Sequence, residues 1–230
     1  YHYREASDQL ALARCAEAAG DHAMKVLAFD RALRLFDEAL AASSLAGEPS
    51  VSLRRKRADA LSHAGRGLDA AEAYLALVQS ASAEEALELR RVAAAHLLSV
   101  AEVTRGKQVL GDVMKELGMS MPESTASALL RALWLRARLR VRGMSIVLDG
   151  KRKPDSLTMA RLETCASSAY MFSVLDPILG TYLSCLHVVH ALSAGDFEHA
   201  LRALSTEGGY RCLTGDQEGG LALMERAKGM

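Results

Sequence analysis

The chain has 230 residues, half of them apolar, which is enough to bury a sizeable core, while 5% aromatic residues and four prolines among abundant Ala and Leu exclude a sheet-dominated fold. Lys plus Arg balances Asp plus Glu at 28 each, which excludes a global field drawing the chain onto nucleic acid or an anionic membrane. Cys15, Cys165, Cys185 and Cys212 are scattered without a C-x-x-C pair, so they read as reduced thiols rather than a disulfide framework.

In chain order, Tyr1–Ala6 reads as the tail of a helix, and Ser7-Asp8 caps the next one, which runs through Leu10, Ala11, Cys15, Ala18 and Ala19 with Gly20-Asp21 as an interruption or a tolerated break. Leu27–Leu40 is amphipathic: Phe29, Ala32, Leu33, Phe36 and Leu40 share one face. Ala42–Pro49 carries loop signals, Ser50–Ala64 resumes as helix, and Gly65-Arg66-Gly67 turns the chain. Leu68–Leu77 then superimposes on the earlier helix with Ala70 on Ala32 and Tyr74 on Phe36. Val103–Val113 does so with Gly106 and Leu110, and Phe197–Leu204 with Ala200 and Leu204. The small positions 32, 70 and 106 are 38 and 36 residues apart, the period of helical hairpins that bury their apolar faces by stacking on neighbours. The expected architecture is an all-α, right-handed solenoid of irregular helical hairpins forming one domain over residues 1–230. Ala32, Phe36, Ala70, Tyr74, Gly106, Leu110, Ala200 and Leu204 are its packing residues. Both ends read as cuts through a longer chain.

Between Gly106 and Ala200 the period is lost. Pro122–Thr125 starts a helix that carries Leu130, Leu133, Trp134, Ala137 and Val141 on one side and Leu135 and Leu139 on the other, a pattern expected of a helix covered on two faces. Residues 143–156, with Gly150-Lys-Arg-Lys-Pro154, read as a long exposed loop cut first by trypsin. Further helices are expected from about Leu157 to Leu175, Pro177 to Ala194, Asp196 to about Ser205, and from Gln217 onward; the pairs Gly208-Gly209 and Gly219-Gly220 depart from the repeat pattern. No apolar run reaches the length of a membrane span.

Gly65-Arg-Gly-Leu-Asp-Ala70 spells a dinucleotide fingerprint, but a helix precedes it where the chemistry needs a strand, and no P-loop is present. Cys185, His187 and His190 share a helix without a supporting carboxylate, so neither metal nor cofactor is expected, and no catalytic residue is nominated. The basic runs Arg54, Arg55, Lys56 and Arg57, and Arg131, Arg138 and Arg142 beside Trp134, are the candidate partner-contact residues, as solvated rims or as contacts for acidic segments. Arg136 and Arg140 border the other side of the Trp134 stripe. Nucleic acid is disfavoured because stacking aromatics are scarce.

Gly65, Ala70 and Tyr74, preceded by Ala58 and Leu61, have the spacing of a tetratricopeptide repeat, as do Gly195, Phe197 and Ala200. Tyr1–Ala6, Leu27–Ala32, Leu133–Arg140 with Arg142-Gly143, and Leu175-Asp-Pro177 resemble the helical-repeat region of large bacterial signalling proteins, which join a serine/threonine kinase domain to a STAND-type, AAA-like ATPase and a tetratricopeptide-like array. The resemblance implies a non-enzymatic, cytoplasmic interaction or sensor segment binding a protein or peptide, including other domains of its parent chain. The alternative is a solenoid that holds a small-molecule inducer, as in related STAND regulators. The kinase and P-loop residues of that family have no counterpart here.

Overall fold

The computed structural model describes residues 8–46, 50–142 and 154–229. Among them it is all-α, with 85% of residues helical and no strand. The eleven helices are α1 (Gln9–Lys25), α2 (Phe29–Ala46), α3 (Val51–His63), α4 (Gly67–Leu77), α5 (Ala83–Ser99), α6 (Val103–Glu116), α7 (Thr125–Arg142), α8 (Ser156–Leu175), α9 (Pro177–Ala194), α10 (Phe197–Leu213) and α11 (Gln217–Lys228). They form two compact units, residues 1–110 and 111–230, divided within α6.

The first unit is built by sequential packing of α1 on α2, α2 on α3, α3 on α4 and α4 on α5. Its core joins Ala32, Leu33 and Phe36 of α2 to Leu53, Ala58 and Leu61 of α3, Ala70, Tyr74 and Leu77 of α4, and Leu89, Ala93 and Leu97 of α5. Side-chain caps start the helices where the sequence supplies them: Asp8 accepts from the Ala11 amide, Ser50 from Leu53 and Ser82 from Glu85.

One turn recurs along the chain. Leu27, Gly65, Ala101, Gly195 and Gly215 each adopt positive φ at the end of a helix. In four of the five the following amide closes on the carbonyl five residues back: Ala28 on Ala23 at 2.9 Å, Arg66 on Leu61 at 3.0 Å, Glu102 on Leu97 at 2.9 Å and Asp216 on Arg211 at 2.9 Å. Five residues after each of these five turns comes a small residue: Ala32, Ala70, Gly106, Ala200 and Gly220, all buried; Gly118 after α6 makes the same turn, closing Met119 on Met114 at 2.7 Å, but Glu123 stands at that distance. Turn and small residue thus repeat as one device that reverses the chain and lets the outgoing helix lie close on its neighbour. At Gly106 a methyl group would meet Leu98 Cγ at 2.7 Å. The predicted large positions Phe36, Tyr74, Leu110 and Leu204 are also buried.

Several local expectations are corrected. Of the two readings left open for Gly20, the tolerated one holds: it is buried within α1, and a Cβ there would stand 2.5 Å from the Phe36 ring, so the glycine is where α2 seats Phe36. Residues 42–46, read as loop, continue α2 because Ala39 and Ala42 still face the core. Helix α10 runs through Gly208-Gly209 to Leu213, since Gly208 and Gly220 let α10 and α11 touch backbone to backbone: a Cβ on Gly208 would lie 2.9 Å from the Gly220 carbonyl oxygen. Helix α5 has no counterpart in the repeat alignment. The predicted loop 143–156 lies outside the described residues as far as 153, and Ser156 already begins α8 under an Asp155 cap.

In the second unit α9 is central, packed by α7, α8 and α10, with α11 on α10. Its 18 residues have a mean hydropathy of 1.2, and 61% of that stretch is buried inside the protein. Against the expectation of no span-length apolar run, α9 has the length and composition of one, and enclosure by three helices accounts for its apolarity. The core joins Leu139, Leu162, Val188, Ala191, Ala200, Ala203, Leu204 and Leu223. Tyr210 of α10 crosses α9 over Gly180 and donates its hydroxyl to the Ala169 carbonyl of α8 at 2.7 Å; a methyl group on Gly180 would collide with that hydroxyl.

Candidate functional site

The basic run of α3 is turned inward on its own unit. Arg55 pairs with Glu85 at 2.8 Å, Lys56 with Glu17 and Asp21 at 2.7 Å each, and Arg57 with Asp37 at 2.5 Å. These ties join α3 to α1, α2 and α5, and each is worth about 0.2–1 kcal/mol at such half-exposed positions. Arg54 also interacts within the protein. The run therefore serves as interhelical stitching.

Helix α7 differs from its sequence reading in one respect that bears on function. Its Ala128, Ala132, Leu135 and Leu139 side is buried against the unit, with α9 as the neighbouring helix. The opposite stripe, expected to be covered as well, is open: Leu130, Leu133, Trp134 and Val141 are all exposed, Trp134 at 60% and Val141 at 90%. Periodicity reports that a face is apolar and is silent on whether anything covers it.

Beside that stripe lies a groove of about 420 Å³. One wall is Arg131, Trp134, Leu135 and Arg138 of α7; the other is Tyr182, Leu186, Val189 and His190 of α9; Gly118, Met119 and Ser120 close one end. Both walls follow helical spacing, i, i+3, i+4, i+7 on α7 and i, i+4, i+7, i+8 on α9. The end is fixed by polar contacts: Arg131 donates to Ser120 Oγ at 2.7 Å, Tyr182 to the Ser120 carbonyl at 2.8 Å, and Arg161 to the Leu117 carbonyl at 2.7 Å. The Arg138 guanidinium stands 5.5 Å from the centre of the Trp134 ring, which holds the indole and leaves the cation at the rim. Burial, and then the Arg161 charge, lower the His190 pKa, so its imidazole is neutral at pH 7. Among the described residues no carboxylate lines the groove, and α7 contains no Asp or Glu. The side chain of Arg142 lies outside the described residues.

Arg136, read as a border of the Trp134 stripe, points into the unit. Its Nε–H donates to Glu207 Oε1 at 2.8 Å, Arg211 Nε–H donates to the same oxygen at 3.2 Å, and the Cys185 thiol donates to Oε2 at 3.5 Å. Glu207 is fully buried, and Arg136 Nη2 has no hydrogen-bond partner. Burial and the neighbouring Glu207 charge push the Cys185 thiol pKa up, and burial pushes Cys165 up to about 12, so neither is a thiolate at neutral pH.

His187 and His199 meet at 3.1 Å, and His199 Nε2 is 3.5 Å from Glu163. A proton on His199 Nε2 toward Glu163 leaves Nδ1 as the acceptor for His187 Nε2–H, and His187 Nδ1 then carries a buried lone pair without a partner. Burial, then the facing His199, lower His187 to about 3. His190 stands on the groove, away from this pair, so the Cys185–His187–His190 cluster is split three ways. Among the described residues no three His, Cys, Asp or Glu side chains gather as a metal site. The signal for the groove on α9 was absent from the sequence, since that helix is apolar nearly all round.

No protein-family model, curated protein or solved structure matches the chain.

Proposed function

We propose that the chain is a non-catalytic, polypeptide-binding stack of helical hairpins, and that α7 with its adjoining groove is the contact surface. The observation that carries this reading is the open Leu130–Leu133–Trp134–Val141 stripe, a contiguous apolar face with an aromatic anchor and an arginine rim, the composition of an interface core and its border. The recurring turn and small-residue device supports a right-handed solenoid of tetratricopeptide-like hairpins. The buried thiols and the buried His187 are withdrawn from solvent and shifted away from reactivity, which fits binding better than catalysis. The resemblance to the repeat region of bacterial kinase and STAND ATPase proteins adds a setting, a sensor or scaffold segment relaying occupancy to catalytic domains.

The test is selection of a displayed random peptide library on the full chain. Leu133→Asp and Trp134→Ala should abolish capture while leaving circular dichroism unchanged; capture that survives both would move the contact surface elsewhere. A second reading, a small-molecule inducer in the groove, draws on its volume of about 420 Å³, within the range of ligand pockets. It predicts thermal stabilisation by a small anionic aromatic compound in a ligand screen.

A further inference from the structure

We infer that the partner of α7 is an acidic amphipathic helix of about three turns, a reading that rests on α7 being the contact surface. The length comes from the stripe: Leu130 to Val141 spans 11 residues, which at helical rise is about 16 Å. Its members recur at i, i+3, i+4 and i+11 along a straight line down the helix, the complement of a partner that presents its own i, i+3, i+4, i+7 anchors. The groove between α7 and α9 is the concavity into which such a ridge packs, with Trp134 and Arg138 on one wall and Leu186 and Val189 on the other.

Charge selects the class of partner. Arg131 and Arg138 stand on one flank of the stripe and Arg140 on the other, all exposed, and among the described residues neither α7 nor the groove lining contributes a carboxylate. A partner with Glu or Asp on both shoulders of its apolar stripe meets a cation on each side, whereas a basic partner is repelled on each side. The same reasoning disfavours a second copy of this chain on this face, because pairing α7 with α7 sets arginine against arginine. A bilayer surface is also less well matched: it satisfies the arginines and the indole but cannot fill a walled groove that lies beside the stripe.

The experiment uses the full chain and three synthetic peptides of roughly 12 residues with the same leucine stripe: one flanked by Glu, one by Lys, and one with the Glu-flanked composition scrambled to destroy the periodicity. The chain's single tryptophan, Trp134, reports occupancy by fluorescence, and calorimetry gives affinity. The Glu-flanked helix should bind at least about tenfold more tightly than either control, with an affinity that falls as salt rises. Arg138→Glu should weaken it by about tenfold or more, and Arg138→Glu should instead favour the Lys-flanked peptide. Equal binding of the Glu- and Lys-flanked peptides, or tight binding of the scrambled one, overturns the acidic-helix assignment while leaving α7 as the contact surface. Binding that Leu133→Asp fails to reduce sinks the contact surface itself. Absence of binding by all three peptides, together with sedimentation on mixed phosphatidylcholine and phosphatidylserine vesicles lost in Trp134→Ala, overturns the assignment in favour of a membrane surface.

Discussion

Removing the Glu207 carboxylate should be the most damaging single polar change in the second unit. Glu207 is fully buried and takes hydrogen bonds from Arg136 and Arg211, while among the described residues Arg211 alone of the two has another acid partner, Asp216 at 3.5 Å. Glu207→Ala therefore strands the Arg136 cation, whose Nη2 already lacks a partner. Breaking a buried pair costs about 3–5 kcal/mol, and since Arg136 keeps 20% of its side chain in water, the low end, about 3 kcal/mol, is expected. Glu207→Gln, which keeps an acceptor but not the charge, should cost roughly half as much. Replacing both partners, Arg136→Met with Glu207→Leu, should recover most of the loss because no ion is then left in the interior. Urea unfolding followed through Trp134, two residues from Arg136 on α7, reads the local transition. A loss below about 1 kcal/mol in Glu207→Ala, or a double variant no more stable than the single one, would refute the reasoning.

Acidification should destabilise the fold through His187: its folded pKa, about 3, lies below the unfolded value near 6.5, so the unfolded chain takes up the proton first and stability is lost as pH falls through that interval, by up to about 1.4 kcal/mol per pH unit. His187→Gln should flatten that slope in urea titrations at stepped pH. Gly20→Val should overpack against Phe36 and lower stability by about 1–3 kcal/mol in thermal melts, and Gly208→Val should do the same between α10 and α11. Ala101→Gly should raise stability by about 0.5–1 kcal/mol, since alanine is held at a φ of 63° that glycine adopts freely. Arg57→Ala should change stability by less than about 1 kcal/mol, with a difference that shrinks at high salt.

The small and large packing positions were legible because Ala32, Ala70 and Ala200 recur beside Phe36, Tyr74 and Leu204 at fixed spacing, and helix crossings impose that spacing locally. The turns at Leu27 and Ala101 were not, because a left-handed residue without glycine leaves no mark in composition; only the completed hairpin forces it. Gly208 misled in the opposite sense, and Gly20 left the course of α1 open. A glycine inside a helix lowers local propensity, while its value here lies in a side chain or backbone that arrives from another helix. Helix α5 escaped the alignment because Ala86, Ala93 and Ala94 give its buried face little contrast with the rest of the helix. Glu207 was silent for a different reason: one acid in the polar stretch Ser205–Gly209 becomes the hub of three donors only when α7 and α9 are laid against α10.

The Tyr210 hydroxyl reaches Ala169 only because Gly180 leaves the path open, and this one contact fixes more than distance. A row of alanines and leucines can slip along a neighbouring helix and find another satisfactory fit, since methyl groups are interchangeable. A phenol that must pass one gap and meet one carbonyl cannot. It acts as a locating pin through three helices, so that displacement of α8, α9 or α10 along its axis by a single residue loses the hydrogen bond and drives the ring into a side chain where the gap had been. The second unit should accordingly tilt or unfold under load rather than shear, and a force applied along α9 should meet a stiff response followed by abrupt failure.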